Sequence, residues 1–177
     1  MKEVELTEFG PGDPHERVVG PEGLWAARNV PQDFRAVLYF WWDRTGGLLA
    51  DPVVVLGFNL PGQAREGVPD LAVVLRRMTG DGEPWYQAQL VCKGTGTRAP
   101  FLGAVDRGVD WRVLVEREGD IATAVLAAYD GRRWVDRGRV QVWAVTDAFG
   151  EVCAGEAGEG TRLEVGPLYL EAGEGDG

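Results

Sequence analysis

Residues 34–44 read Phe-Arg-Ala-Val-Leu-Tyr-Phe-Trp-Trp-Asp-Arg and form the most regular alternating segment of the chain. Successive side chains of a β-strand point to opposite faces, and over residues 34–43 one face of this segment is wholly apolar. The other face is aromatic in its middle and charged at its ends. This pattern predicts a central strand with one side in a core and the other beneath a partly covered or ligand-facing surface. The apolar face carries Phe34, Ala36, Leu38, Phe40 and Trp42, and the other carries Arg35, Val37, Tyr39, Trp41 and Asp43.

Length and charge narrow the class of protein. The chain has 177 residues, 45% of them hydrophobic, which predicts one domain with a sizeable core. The net charge of −10 comes from the ends: residues 1–23 hold six acids against two bases, and residues 151–177 hold seven acids against one. Residues 24–150 balance 15 acids with 15 bases. No clustered basic face is visible, so nucleic acid is not an expected partner.

The pattern of turns predicts the fold class. Turn signals recur at short intervals, and 26 Gly residues supply the positive φ angles that tight turns require. The Ala-rich segment 121–129 alternates with a period of two, so it is predicted to be a strand rather than a helix. The sequence therefore predicts an all-β protein, a two-sheet antiparallel jelly-roll sandwich with roughly ten to twelve strands.

The expected domain organisation is simple. An acidic N-terminal edge strand and loop occupy residues 1–23, one β-sandwich domain occupies residues 24–171, and a disordered tail occupies residues 172–177. The N-terminus shows no signal peptide, and no apolar run reaches the roughly 18 residues of a membrane span. A cytoplasmic or virion-associated location is the resulting expectation.

Three segments occur in an order known from one superfamily. A strand begins at Asp33-Phe34 and runs to Phe40, and a Trp-x-Val-x-Val-x-Arg strand, 111–117, leads through a tight turn to Tyr129-Asp130-Gly131. A Gly-rich approach then precedes a returning final strand within 155–170. In this order of features the chain resembles the concanavalin A-like lectin/glucanase jelly rolls, including their laminin-G-like branch. The resemblance implies two curved antiparallel sheets and a concave face that holds sugars in many relatives.

Candidate catalytic residues are few. The chain contains no Ser, and its single His, His15, lies in a Gly/Pro-rich loop. Glu116, Glu118 and Asp120 alternate, and retaining glycosidases need two carboxylates about 5 Å apart. Gly119 breaks this segment, however, so it is interpreted as a solvated hairpin turn. No catalytic residue is assigned, and a glycoside-processing enzyme stays as a second alternative.

No cofactor is predicted from the metal-ligating residues. One His and two distant Cys give no zinc spacing. Calcium stays open because acidic loops are abundant. Its candidate oxygen ligands are Asp81, Glu83, Asp130 and Asp136. Cys92 falls on the same side of its predicted strand as the core side chains, which predicts a buried reduced thiol. A Cys92–Cys153 disulfide is the alternative.

Aromatic and amide side chains lie opposite the predicted core faces. Flat rings cover the apolar C–H face of a sugar, and amide groups match its hydroxyls. The candidate ligand-binding residues are Tyr39, Trp41, Asn59, Gln87, Gln89, Gln141 and Trp143. These residues favour a non-catalytic binding module for carbohydrate. One alternative is a structural or assembly protein, such as a virion or surface component, that uses the same face as a subunit interface. Another is that the chain's own loops cover this face. The expected partner is therefore carbohydrate or protein, and a homo-oligomer stays open.

Overall fold

The computed structural model describes eleven separate stretches of the chain, in some of them the backbone alone. These stretches are residues 2–4, 7–8, 24–27, 30–42, 53–60, 69–79, 85–93, 100–106, 108–143, 147–156 and 163–172. Within them the chain forms thirteen strands and no helix. The strands are β1 Lys2–Val4, β2 Thr7–Glu8, β3 Leu24–Ala27, β4 Phe34–Trp42, β5 Val53–Asn59, β6 Leu71–Met78, β7 Trp85–Cys92, β8 Phe101–Val105, β9 Asp110–Glu118, β10 Ile121–Tyr129, β11 Trp134–Trp143, β12 Glu151–Glu156 and β13 Leu163–Ala172.

The strands form two antiparallel sheets. One sheet has six strands in the order β1-β13-β4-β9-β10-β11, and the other has seven in the order β2-β3-β12-β5-β6-β7-β8. The prediction of an all-β, two-sheet jelly-roll sandwich is confirmed. No helix in the described stretches is long and apolar enough to cross a membrane.

The N-terminal strands join both sheets. β1 pairs with β13 at the edge of the six-stranded sheet, and β2 pairs with β3 at the edge of the seven-stranded sheet. Residues 9–23 of the predicted N-terminal strand and loop (1–23) and residues 173–177 of the predicted tail (172–177) lie outside the described residues, so the proposed division into a loop, a domain and a tail stays a prediction.

The core lies between the two sheets and follows the alternation of β4. The inward side chains of β4 are buried, as the pattern of residues 34–40 predicts, while the side chain of Trp42 is outside what the structure describes. Phe34 packs against Phe58 of β5 with ring centroids 4.7 Å apart, and Phe58 packs against Phe149 at 5.6 Å. These contacts join the sheets at one end of the sandwich.

The middle of the seven-stranded sheet is buried on both faces. Every residue of β5 is buried, as its continuous apolar sequence predicts. A second cluster on the outer side of this sheet contains Val54, Ala72, Val74 and Cys153. Cys92 is half-buried and packs against the main core instead. The two thiols are therefore on opposite faces of the sheet and are not bonded to each other, which excludes the disulfide alternative.

A buried guanidinium group holds the turn after β9. Arg117 is 1% exposed, donates from Nε to the carbonyl of Gly119 at 3.2 Å, and donates from Nη1 to the carbonyl of Asp147 at 2.6 Å. Its guanidinium lies 5.0 Å from the centroid of the Phe149 ring. Burial lowers the pKa of Arg117 because it disfavours the charged form, and nearby carboxylates including Asp33 oppose that effect.

The backbones of the two sheets approach each other closely where β11 meets β8. A Cβ added to Gly138 would lie 1.6 Å from the carbonyl oxygen of Leu102, a distance that no side chain tolerates. Because the obstacle is backbone, it has no rotamer through which it could move aside. Gly138 is therefore required by close approach of the two sheets at this edge of the sandwich.

Replacing Gly138 with Ala is expected to destabilise the fold by about 3 kcal/mol, because the new methyl group must push β8 and β11 apart. The control is Gly119→Ala. Gly119 has φ +58° but nothing within 4 Å of an added Cβ, so only a backbone cost of about 1 kcal/mol applies there. Urea unfolding of the two variants measures the difference, and equal losses of stability would contradict the close approach of the sheets.

Candidate functional site

The pairing register defines rows of side chains on the outer face of the six-stranded sheet. One row runs from Tyr39 on β4 to Arg112 on β9, then to Ala127 on β10 and Asp136 on β11. In the next row, Trp41 lies opposite Asp110 on β9, and Tyr129 lies opposite Trp134 at the start of β11. Four different strands thus contribute to one surface.

An open cavity of about 670 Å³ lies at the Trp41 end of this face. Its walls are mainly aromatic, and one carboxylate, that of Asp110, reaches them. The lining residues are Tyr39, Phe40, Trp41, Asp110, Trp111, Tyr129, Trp134, Val165 and Gly166. We refer to this space as the aromatic cavity.

Trp134 is the centre of a cluster of rings. Its centroid lies 5.4 Å from that of Tyr39 and 5.4 Å from that of Tyr129, and Tyr39 also contacts Tyr169 at 6.4 Å. The guanidinium of Arg112 lies 5.0 Å from the centroid of the Trp134 ring. Such aromatic and cation–π contacts add to the energy of area burial, so the rings support one another in fixed positions.

The turn between β10 and β11 positions Trp134 opposite Tyr129. The Oδ1 atom of Asp130 accepts hydrogen bonds from the backbone N–H groups of Arg132 at 2.8 Å and Arg133 at 2.9 Å. The backbone N–H of Asp130 donates to the carbonyl of Arg133 at 3.0 Å. The two bonds from Arg133 and Arg132 hold the pKa of Asp130 below its ordinary value, because they stabilise the ionised carboxylate.

A second cavity, of about 420 Å³, continues along the same face. It shares Tyr39 with the aromatic cavity and contains five charged side chains. Its lining residues are Arg35, Val37, Tyr39, Arg112, Leu114, Glu116, Val125, Asp136, Arg139 and Tyr169. We call this space the charged cavity, and the two cavities together the groove.

A small residue lies beneath the centre of the groove. Ala127 faces outward with Arg112 and Asp136 as its neighbours in the row, yet it is only 1% exposed. Longer side chains around it therefore cover its methyl group. This leaves room for the Arg112 guanidinium to lie against Trp134.

Four of the seven predicted ligand-binding residues lie on this face of the sheet. Tyr39 and Trp41 line the groove. Gln141 and Trp143 lie at the opposite end of the face, beside a smaller cavity of about 270 Å³ that Ile121 also lines. Gln141 donates a hydrogen bond from Nε2 to the hydroxyl of Thr123 at 3.2 Å.

The other three predicted residues belong to the seven-stranded sheet. Asn59 is buried, and its Oδ1 atom accepts a hydrogen bond from the backbone N–H of Asp70 at 3.4 Å. Gln87 and Gln89 are on the outer face of β7, where Gln89 accepts a hydrogen bond from Arg76 at 3.1 Å. The seven residues therefore do not form one surface, and their role in ligand binding stays a prediction.

The alternation of side chains along single strands did not identify several residues of the groove. Tyr129, Trp134, Tyr169 and Arg112 line the groove but were not among the predicted residues. For Tyr129 and Trp134 the available signal was the hairpin with the Asp-Gly turn at residues 130–131, because strands joined by a short turn bring the residues on either side of it opposite each other.

The described residues show no metal site, and calcium binding stays a prediction. They contain no group of three or more His, Cys, Asp or Glu side chains able to hold a metal ion. Of the candidate ligands, Asp130 uses Oδ1 for two backbone hydrogen bonds, and Asp81 and Glu83 lie outside the described residues.

The carboxylates considered as a catalytic pair lie around a turn. Gly119 has φ +58°, and the tight turn that it makes with Asp120 joins β9 to β10, as predicted. Glu116 lies in the charged cavity, with Oε1 3.4 Å from Nε of Arg35. Glu118 is exposed two positions further along β9.

Comparison with known proteins gives matches of structure only. No protein-family model matches the sequence, and no curated protein matches it. The exoplasmic/lumenal domain of VIP36 in its Ca²⁺/Man2-bound form aligns over 89% of this chain and 76% of its own, with a TM-score of 0.55 and 16% identity. Alginate lyase PA1167 from Pseudomonas aeruginosa aligns over 82% and 68%, with a TM-score of 0.55 and 12% identity.

An alginate lyase from Klebsiella pneumoniae aligns over 81% of this chain and 61% of its own, with a TM-score of 0.51 and 10% identity. Together these matches show the fold: the chain is a concanavalin A-like jelly roll, as its sequence resemblance implied. Because one fold carries different functions, the function has to be argued from the groove.

Asp130→Ala is expected to destabilise the β10–β11 hairpin at neutral pH, because two backbone N–H groups lose their acceptor. The folded-state pKa of Asp130 is lowered from 3.8, so its ionised form stabilises the fold above the unfolded value. That stabilisation is lost as pH falls through the lower, folded-state pKa. Urea unfolding measures the difference in free energy of unfolding between the wild type and the variant. This difference should be smaller below the ordinary carboxyl pKa than at neutral pH.

Asp130→Asn is the matched control, since it keeps an acceptor oxygen but does not titrate. Its stability relative to Asp130→Ala should stay constant over the same pH range. If the difference in free energy of unfolding between the wild type and Asp130→Ala is the same in acid as at neutral pH, the stabilising role of the ionised carboxylate is contradicted.

Proposed function

We propose that this protein is a non-catalytic carbohydrate-binding module and that its glycan lies in the groove on the outer face of the six-stranded sheet. One observation carries the proposal: Tyr39, Tyr129 and Trp134 form a mutually supported ring cluster beside Trp41, around an open cavity of about 670 Å³. A surface of this composition covers the apolar face of a sugar ring.

Polar groups near the rings supply hydrogen bonds for hydroxyls. Asp110 is a carboxylate acceptor in the aromatic cavity, and Arg112 is a donor at the boundary with the charged cavity. The tyrosine hydroxyl groups both donate and accept. Apolar faces and directional polar groups thus occur within one recess, which is the arrangement that orients an amphipathic ligand.

The matched structures support glycans as the ligand class. VIP36 forms with Man and with Man3GlcNAc bound have TM-scores of 0.56 and 0.53 to this chain, both at 16% identity. The alginate lyases are named for activity on a polysaccharide. At such identities these matches establish only the fold, so they support the proposal as analogy and the groove carries it.

The spacing of the groove carboxylates favours binding over hydrolysis. Asp110 and Glu116 lie six positions apart on β9, about 20 Å along a strand. Asp136 lies on β11, separated from β9 by β10, and in a different row from Glu116. The two carboxylates of a retaining glycosidase lie about 5 Å apart, and those of an inverting one less than about 10 Å apart.

Trp134→Ala and Trp41→Ala are each expected to weaken glycan binding at least about tenfold, a loss of about 1.4 kcal/mol. Each removes a ring of the aromatic cavity. Isothermal titration calorimetry with a panel of neutral and acidic tetrasaccharides measures the effect. Trp85→Ala is the control, because Trp85 is 42% exposed on the seven-stranded sheet, away from the groove. Absence of binding to every tetrasaccharide, or equal losses for all three variants, would refute the proposed function.

A second candidate function, subunit assembly, is favoured by the other end of the same face. Trp143 is 63% exposed and Ile121 is 39% exposed, and both line the cavity of about 270 Å³. Large apolar side chains exposed together are common at protein contacts.

If this patch is a contact between copies, light scattering of the wild type will show an oligomer, and Trp143→Gln will shift it toward the monomer. The Trp85→Ala variant controls for loss of an exposed ring elsewhere. A monomeric wild type at the highest soluble concentration would exclude the assembly role.

A further inference from the structure

We propose that the glycan is acidic: a sugar ring occupies the aromatic cavity, and the carboxylate or sulfate of an adjoining residue lies in the charged cavity against Arg112 and Arg139. This inference rests on the proposed function and names the ligand class for the same groove. The argument begins from the continuity of the two cavities through Tyr39 and from the balance of charge in the second one.

The groove is long enough for an oligosaccharide. It runs along β4 from Trp41 to Arg35, both of which line it. Six residues of strand span about 20 Å, so a ligand that fills both cavities has several sugar rings. The ring in the charged cavity lies in an environment chemically unlike that of the ring in the aromatic cavity.

The charges in the second cavity do not cancel. Arg35 and Glu116 lie 3.4 Å apart and neutralise each other locally. The remaining charged groups are Arg112, Arg139 and Asp136, for which the described stretches show no ion pair. The two guanidinium groups and one carboxylate leave an excess of one positive charge in this cavity, although the net charge of the protein is −10.

Register brings the two guanidinium groups toward one space. Arg112 and Asp136 flank Ala127 in one row, and Arg139 lies opposite Val125 in the next. Because Ala127 is short, β10 itself places no bulky side chain between Arg112 and Asp136 at this point. An anion above β10 can therefore be approached by Arg112 from one side and by Arg139 from the other.

The floor beside these groups is apolar. Val37, Leu114 and Val125 lie in one row across β4, β9 and β10 and line the charged cavity. A ligand resting on them excludes water, which strengthens the attraction between a guanidinium and an anion. A neutral sugar in the same place would desolvate the guanidinium groups without supplying a counter-charge, which is unfavourable.

The chemistry of the guanidinium group selects the class of anion. Its planar fork of N–H donors matches the paired oxygens of a carboxylate or a sulfate. Stacking against Trp134 fixes the orientation of Arg112, so fewer degrees of freedom are lost when an anion binds. Uronic acids and sulfated sugars both present such oxygens on a ring.

The test compares three tetrasaccharides by calorimetry: tetragalacturonate, a sulfated galactan tetrasaccharide without carboxylates, and cellotetraose. We expect at least one acidic tetrasaccharide to bind about tenfold or more tighter than cellotetraose at low ionic strength. The advantage should shrink as salt is added, because mobile ions screen partly exposed charges. Which of the two acidic ligands binds more tightly shows whether the site prefers a carboxylate or a sulfate.

Two variants of opposite expected sign test the residues. Arg139→Gln should weaken the acidic ligand about tenfold, the effect of losing one charge-assisted hydrogen bond, and should not weaken cellotetraose, which has no anionic group to lose a partner. Glu116→Gln should tighten the acidic ligand a few-fold, because it removes a like charge and releases Arg35. A damaged fold does not gain affinity, so the second result is independent of small losses in stability.

Arg132→Gln, at the exposed tip of the β10–β11 hairpin, is the matched control for loss of one positive charge. If cellotetraose binds as tightly as the acidic ligands and Arg139→Gln changes nothing, the acidic specificity is refuted, while loss of binding in Trp134→Ala still supports the groove as a glycan site. If no tetrasaccharide binds, both proposals fail.

Discussion

The pairing register of β4, β9 and β10 is the constraint on which the rest of the molecule depends. Side chains alternate between the faces of a sheet, so one register decides for all three strands which residues enter the core. With Tyr39 opposite Arg112, core residues such as Trp111 and Val113 face the second sheet, and Tyr39, Trp41 and Arg112 face outward. A slip of one residue would bury Arg112 and expose Trp111. The interaction that stabilises the sandwich is therefore also the one that assembles the groove.

Much of the fold could be predicted because its strands alternate clearly. The bounds of β10 agree with the alternating segment 121–129 to the residue, and this Ala-rich segment is a strand because its larger residues keep a period of two. Glu151–Glu156 was not predicted. Its Glu, Ala and Gly residues have weak strand preference, and it is a strand because β3 and β5 flank it and supply hydrogen bonds on both sides.

The site was only half predictable, and the reason is geometric. Parity along β4 identifies Tyr39 and Trp41, because it says which face of a strand a residue occupies. Parity does not say which sheet a strand joins, so Gln87 and Gln89 were grouped with residues that lie on the other sheet. Trp134 depends in addition on the register across β10 and β11, which shifts at a bulge between Leu126 and Ala127. Such irregularities arise from tertiary packing and leave little trace in composition.

The methyl group of Ala127 is covered by its neighbours, so the size of the side chain at this one position sets the depth of the groove. A β-branched or longer residue there would lift Arg112 from the Trp134 ring and raise a ridge between the two recesses, turning one continuous channel into two shallow cups. Under the proposed function, one substitution at this position would therefore change a site that binds a polysaccharide along its length into one that holds only a chain end, without disturbing the core.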